Sequence, residues 1–417
     1  MGNRRRRWLI GVLAAVVVVA TAAIVYRVLA PDEVLTPART PYPTPVAPAE
    51  PGVIGTLVPA PLILDGRLRV YAAARQVRAD RPVDARTPHT PYWSYRRWPA
   101  QLTAVVAGDV TVVSRWSDGE LVALDARTGR IAWRTAGPKP DQGYEGRRTG
   151  AATLYAPPGL HTGTARDGRS VLVVTGAGEL RAYDLATGNE LWRGDASCLT
   201  DGFTTDAGGF VAVDTCASPH AIRFHDLATG AATTWRPDGA GAQIEVEPVG
   251  CAIGRSECPA MRTTSAGSSR GWLLEPAGPL AAPSLDPPHA RLVGDVALAV
   301  VPAADRGEAR LVARSARTGA ELWRLTVPAG TEVLAVQPGR AHLLTADRHL
   351  ITVDATTGAE LSAFSLAYGH DPTDWTPGFV DARYGFVAIE RLAEPVDPAA
   401  DDSRYYLDIQ PVILART

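Results

Sequence analysis

Four aspartates are the first residues in this chain that could do chemistry. Asp125, Asp184, Asp226 and Asp354 carry carboxylates of the kind that ligate Ca²⁺ or abstract a proton. Each stands at the same place, however, before Thr128-Gly129, Thr187-Gly188, Thr229-Gly230 and Thr357-Gly358. A position repeated together with its surroundings reads as a turn cap, because an Asp oxygen accepts hydrogen bonds from turn amides. The other polar clusters are poorer candidates. His370-Asp371-Pro372-Thr373-Asp374-Trp375 could line the mouth of a site, but reads as a solvated loop anchored by one Trp. Asp397, Asp401 and Asp402 lack the alternate-oxygen spacing of a Ca²⁺ loop. His220 and His225 are five apart, which puts them on opposite faces of a strand. The chain holds no G-x-S-x-G, no H-E-x-x-H and no P-loop.

Cysteine chemistry is the other possibility. Cys198, Cys216, Cys251 and Cys258 show no C-x-x-C, and are spaced by 18 and 7 within the two pairs. Thiolate metal binding is therefore a poor fit. In an oxidising compartment the four form two disulfides, and local pairing (Cys198–Cys216 and Cys251–Cys258) is the favoured one of three connectivities.

The elements that must position these residues are copies of one unit. Glu120–Trp133, ELVALDARTGRIAW, returns as Glu179–Trp192, ELRAYDLATGNELW. Looser copies are Ala221–Trp235, Arg310–Trp323 and His349–Phe364. Each reads as a strand, a Thr-Gly turn, a second strand and an aromatic. One hairpin cannot bury its Trp alone, so the copies must pack on one another. The turn glycines Gly129, Gly188, Gly230, Gly319 and Gly358 are separated by 59, 42, 89 and 39 residues. The long gap holds a degenerate copy, GWLLEPAG, with Glu275 and Gly278 where Asp and Gly are expected. Strand-rich units of about 40–50 residues fit the four-stranded blades of an all-β propeller.

The motif A-x-D-x-x-T-G-x-x-x-W resembles the repeat of the PQQ-like (pyrroloquinoline quinone repeat) β-propellers. Ala123-Leu124-Asp125 with Thr128-Gly129 and Trp133 matches it, as does Ala182-Tyr183-Asp184 with Thr187-Gly188 and Trp192. The copy ending at Trp323 has Ser315 in place of Asp, and the copy at Asp354 has Ser362 in place of Trp. The copy at Asp226 has one extra residue before Trp235. The resemblance covers roughly residues 52–417 and places the chain in the wider WD40/YVTN-like repeat superfamily, although no copy ends in Trp-Asp. Six Thr-Gly-type units plus one blade shared by the two termini give seven blades; eight stays open if residues 52–100 supply another.

Upstream, residues 1–7 carry Arg4 to Arg7 and read as a cytoplasmic tail. Trp8 to Tyr26 is a run of 19 uncharged residues, which at about 1.5 Å per residue nearly crosses a bilayer core. Residues 8–30 are thus expected to be an uncleaved transmembrane signal anchor, with the N-terminus cytoplasmic and the bulk exported. Residues 31–51 hold seven prolines and read as a semi-rigid linker, followed by the propeller at 52–417. Formal charge is −2, and residues 1–30 contain five arginines and no acid, leaving the remainder at −7. That balance argues against nucleic-acid binding.

The resemblance raises a PQQ-dependent quinoprotein dehydrogenase as one function. Such an enzyme needs a Ca²⁺ site of carboxylates and amide oxygens and an Asp base beside the quinone; many have a disulfide between adjacent cysteines. This chain has no Cys-Cys pair, and its Asn residues are Asn3 and Asn189 alone. The favoured expectation is a non-catalytic, membrane-anchored extracytoplasmic scaffold, monomeric and without cofactor, similar in architecture to the outer-membrane assembly lipoproteins. Its partner would be an envelope protein or a cell-wall or small-molecule ligand. The loops expected to recognise it are Gly137–Gly168, with Tyr144 and Arg147-Arg148, and His370–Trp375.

Overall fold

The computed structural model describes residues 2–29, 32–86, 90–108, 110–144, 149–303, 307–369, 374–394 and 406–417. Among the described residues the strands form eight antiparallel sheets, the blades of one propeller. Blade 2 shows the plan: Leu102–Ala107 is innermost, followed outward by Thr111–Trp116, Glu120–Asp125 and Ile131–Ala136. In blade 2 the innermost strand is covered on both faces by neighbouring blades, and Leu102–Ala107 is mostly apolar and buried at every position. Outermost strands such as Glu321–Pro328 are exposed at alternate positions and carry charges, which discourages edge-to-edge pairing.

Blades 3 to 7 follow the same plan, with outermost strands Glu190–Asp195, Ala232–Trp235, Gly278–Ala281, Glu321–Pro328 and Glu360–Ser365. Blade 8 is shared, as expected: Gly52–Leu57 pairs as the outermost strand with Val412–Arg416, next to Phe386–Leu392 and the innermost Thr376–Arg383. The expectation of seven blades is corrected to eight. Blade 1, Leu62–Leu64, Leu68–Ala73, Gln76–Asp80 and Trp93–Trp98, joins its third and fourth strands through residues 81–92 rather than a Thr-Gly turn, so counting turns passes over it.

The linker expectation changes too. Asp32–Thr36 adds a fifth, outermost strand to blade 1 against Trp93–Trp98. The proline-rich residues beyond it lie along the propeller: Ala38 N donates to Thr128 O at 2.8 Å, and the Pro43 and Ala47 carbonyls accept from Arg67 and Arg416. Asp32–Thr36 is thus part of the sheet of blade 1, and the irregular chain after it is held against the propeller because an extended proline-rich segment has carbonyls free to accept hydrogen bonds from neighbours.

Two α-helices are present among the described residues. α1 spans Gly2–Leu29, with side chains described at 8, 11, 12 and 14–26. Among the described residues no helix is long and apolar enough to cross a membrane, so they do not show the expected span. α2 is a short turn, Ala151–Tyr155, inside the Gly137–Gly168 insertion, where no helical period is visible.

Candidate functional site at the plugged channel

The repeated aspartates are caps. Asp125 Oδ1 accepts from the Arg127 and Thr128 amides at 3.0 and 2.8 Å and from Thr128 Oγ1 at 2.9 Å. Asp184, Asp226 and Asp354 make the same three bonds within their own turns. At Asp354 the amide and hydroxyl of Thr357 hold the carboxyl below the ordinary range. An oxygen committed to three local donors is poorly available as a base or a ligand.

The rest of the motif is a docking device between blades. Trp133 Nε1 donates to Leu185 O of the next blade at 2.9 Å, and its ring lies against Gly188. Trp192 docks likewise on Leu227 and Gly230, and Trp323 on Ala355 and Gly358. Trp93 of blade 1 docks on Ala126 and Gly129. The motif alanine is the cross-strand partner of the indole: Trp93 opposes Ala79, Trp133 Ala123, Trp192 Ala182 and Trp323 Ala313. A small residue there lets the indole lie flat on its own sheet. In blade 4 that place holds Phe224, and the extra residue carries Trp235 on to oppose Ile222. Trp235 is therefore out of the docking position, and meets Trp272 edge-on with centroids 4.8 Å apart. Blade 5 contributes no indole to the next turn, and Gly319 has open space around it.

Both expected disulfides are formed, Cys198–Cys216 and Cys251–Cys258. Among the described residues the one trio with metal-ligand geometry is Cys198, Asp214 and Cys216. Its sulfurs are tied to each other, and Asp214 accepts from the Cys216 and Ala217 amides and pairs with Arg223 at 3.0 Å. That chemistry is structural.

The second disulfide closes a loop that enters the central channel. From blade 5, residues 251–258 reach the innermost strands of blades 3 and 4. Ser256 Oγ accepts from Thr162 N at 3.0 Å, Arg255 O accepts from Thr204 N at 3.1 Å, and Thr204 O accepts from Cys258 N at 2.8 Å. Arg255 also donates to the Gly202 and Asp201 carbonyls. From another side α2 packs on the innermost strands of blades 2 and 8 and on Leu68–Ala73 of blade 1, with the Tyr155 hydroxyl donating to Pro61 O at 2.7 Å. The two insertions meet: a Cβ on Gly254 would stand 2.9 Å from Tyr155 O. Tyr155 is buried, which raises its phenol well above the ordinary value. Glu390, beside this plug, accepts from Thr149 Oγ1 at 2.6 Å and from Phe379 N at 3.2 Å. Asp381 is paired with Arg383 at 2.8 Å.

What stays open is smaller. At the far end of the channel a cavity of about 320 Å³ is lined by residues including Leu64, Ala107, Thr162, Glu257, Arg383 and Tyr384. On the opposite face a cleft of about 220 Å³ between blades 2 and 3 has Arg115, Asp141 and Asp201 in its wall. Arg115 donates to the carbonyls of Pro138, Pro158 and Gly159, and burial pushes it down to about 10. His161 Nε2 lies 3.1 Å from Asp201 Oδ1, but its ring is fully buried and cannot reach a substrate. Burial pushes the Asp201 carboxyl up, while the His161 contact and the Arg255 charge outweigh it and hold the group low.

The channel is thus filled by loop 251–258 and α2, and Glu390 and Asp381 beside the plug already have donors.

Of the sequence-stretch candidates, His220 sits just before the strand and His225 is buried, stacked on Trp192; burial lowers its imidazole. Trp375 is buried with the Arg348 guanidinium 5.0 Å above its ring, the anchoring role expected of it. His370, Asp371, Pro372, Thr373, Asp397, Asp401, Asp402, Arg147 and Arg148 lie outside the described residues. The plug was not anticipated; the one signal for it was a closely spaced Cys pair inside the double-length gap between turns.

The model of the family described as outer membrane protein assembly factor BamB matches residues 20–236 and 263–371. The gap between the two stretches contains the channel loop. No curated protein matches the chain. Among solved structures it is similar to BamB from Moraxella catarrhalis, at 15% identity over 92% of this chain and 97% of that one, with a TM-score of 0.44. It is also similar to the computationally designed Ika8 protein (15%, 88% and 99%, 0.45). A third is a europium-containing methanol dehydrogenase (13%, 88% and 93%, 0.41). With TM-scores below 0.5 these likenesses decide nothing about activity.

Proposed function

We propose, from the premise that this chain belongs to the family of outer membrane protein assembly factor BamB, the PQQ-like β-propellers, that it is a non-catalytic scaffold at the cell envelope. One observation carries the reading: the channel is occupied by loop 251–258 and α2, which hydrogen-bond and pack against five surrounding blades. A scaffold needs rigidity at that place, whereas an enzyme of this architecture needs room. No cofactor is proposed. The binding surfaces are the loops on the two faces, with the cavity bounded by Glu257, Arg383 and Tyr384 at the centre of one.

We place the propeller outside the cytoplasm, as a monomer held at the cell membrane by α1. Support comes from the 19 uncharged residues Trp8 to Tyr26 behind Arg4 to Arg7 and from two disulfides, which persist in oxidising compartments. The partner is an envelope protein or a cell-wall ligand. The test is photo-crosslinking in intact cells with a reactive side chain at Tyr384 or Thr164 on the cavity face, and at Leu361 on the rim. Discrete adducts from the face sites support the reading. Adducts from Leu361 alone, with both face sites silent, reject the cavity face as the binding surface.

A further inference from the structure

We propose that the outer edge of blade 1 is a membrane-contact surface whose occupant is an anionic bilayer. The inference rests on the anchor reading above. α1 ends at Leu29, and the outermost strand of blade 1 begins at Asp32. The intervening chain can reach no more than about 11 Å, so this blade edge lies next to the point where the chain leaves the lipid.

The residues at that point suit an interface. Trp98 is the cross-strand partner of Asp32 and is 37% exposed. The Arg75 guanidinium lies 3.5 Å over its ring, and Arg75 Nε is buried without a hydrogen-bond partner. Val34, 49% exposed, opposes Arg96, which is also exposed. Strand alternation puts Asp32, Val34, Arg96 and Trp98 on one face, one acidic position beside the two apolar ones and the Arg. The other face carries Glu33 and Arg97, which join Arg134, Asp118 and Glu120 in ion pairs between blades 1 and 2. That network uses up its cations, whereas Arg75 and Arg96 have no ion pair among the described residues. An indole, an aliphatic residue and two guanidinium groups without an ion pair, one of them stacked on the indole, match the headgroup layer, where Trp settles and Arg meets lipid phosphate. The propeller accordingly sits rim-first on the bilayer, leaving both loop faces accessible.

The chain has no free cysteine, so a single introduced one can be labelled. Full-length Val34→Cys and Leu322→Cys proteins carry an environment-sensitive fluorophore and are reconstituted into vesicles of phosphatidylcholine and phosphatidylglycerol with brominated acyl chains. Leu322 is equally apolar and exposed on the outermost strand of blade 6. The proposal expects quenching and a blue shift at position 34, none at 322, and weaker quenching when Arg75 and Arg96 are both changed to Glu. Protein that floats with the vesicles while both labels stay unquenched overturns the contact and leaves the anchor standing. Protein that does not float overturns the anchor, and the contact with it.

Discussion

The docking of each indole on the next turn can be isolated with one pair of substitutions. Gly188 and Gly319 occupy the same turn position with the same φ, +73°. Alanine at either forces a side chain into the left-handed region at about 1–2 kcal/mol. Their surroundings differ. A Cβ on Gly188 would stand 2.6 Å from Cδ2 and Cε3 of Trp133, where carbon atoms prefer about 3.5–4.0 Å. Trp133 cannot retreat, since it is 8% exposed and its Nε1 is bonded to Leu185 O. Overpacking of that kind adds about 1–3 kcal/mol. A Cβ on Gly319 would meet nothing within 4 Å. Gly188→Ala is therefore expected to lose about 2–5 kcal/mol and Gly319→Ala about 1–2 kcal/mol. Thermal melting and urea midpoints of the two purified variants, measured side by side, read the difference. Equal shifts would refute the docking account, since backbone strain alone would then explain both.

Three further outcomes follow from the same geometry. Single replacement of Trp133, Trp192 or Trp323 with Ala should cost about 3–5 kcal/mol, and Trp235→Ala less, because Trp235 donates to no neighbouring turn; unchanged melting in the first three would remove their packing role. His342 is fully buried between Gln337 and Thr352, and burial, then the Arg340 charge, lowers it to about 4 from 6.5. The unfolded chain takes up that proton first, so the contribution is full above pH 6.5 and falls away as pH drops towards 4, by about 3 kcal/mol in all. His342→Gln should flatten stability between those pH values, and an unchanged pH profile would show that the ring is not buried neutral. Replacing Cys251 and Cys258 with Ser opens an eight-residue loop and should cost about 2–3 kcal/mol. Amide exchange at Thr162 and Thr204 should then rise, and unaltered protection there would mean the plug holds without its disulfide.

Much of this architecture is legible in the sequence because the repeat is a physical device. The Asp and the Thr-Gly mark the turn and the Trp marks the docking contact, so a Trp four residues past the turn glycine docks on the next blade even where Ser315 replaces the Asp. Trp235, one residue late, opposes Ile222; the degenerate GWLLEPAG copy leads to a fourth strand without an indole. Local Cys pairing was readable from spacing, and the shared final blade from strands at both termini that lacked a motif. Blade 1 was obscured because residues 81–92 replace its turn, although VDARTPHTPYW ends in the docking residue Trp93. The fifth strand, Asp32–Thr36, was hidden by the prolines that follow it. The channel plug was not readable, since the eight-residue loop 251–258 shows no period, and its partners Thr162, Thr204 and Tyr155 lie about 50–100 residues away in sequence.

The central claim is that the channel is filled by the chain and serves a scaffold rather than a quinone. Calorimetric and absorbance titration of the full-length protein with PQQ and Ca²⁺ tests it most directly. The account predicts no saturable binding and no dye-linked oxidation of alcohols or sugars. Tight binding accompanied by such oxidation would contradict it, and would require loop 251–258 to vacate the channel.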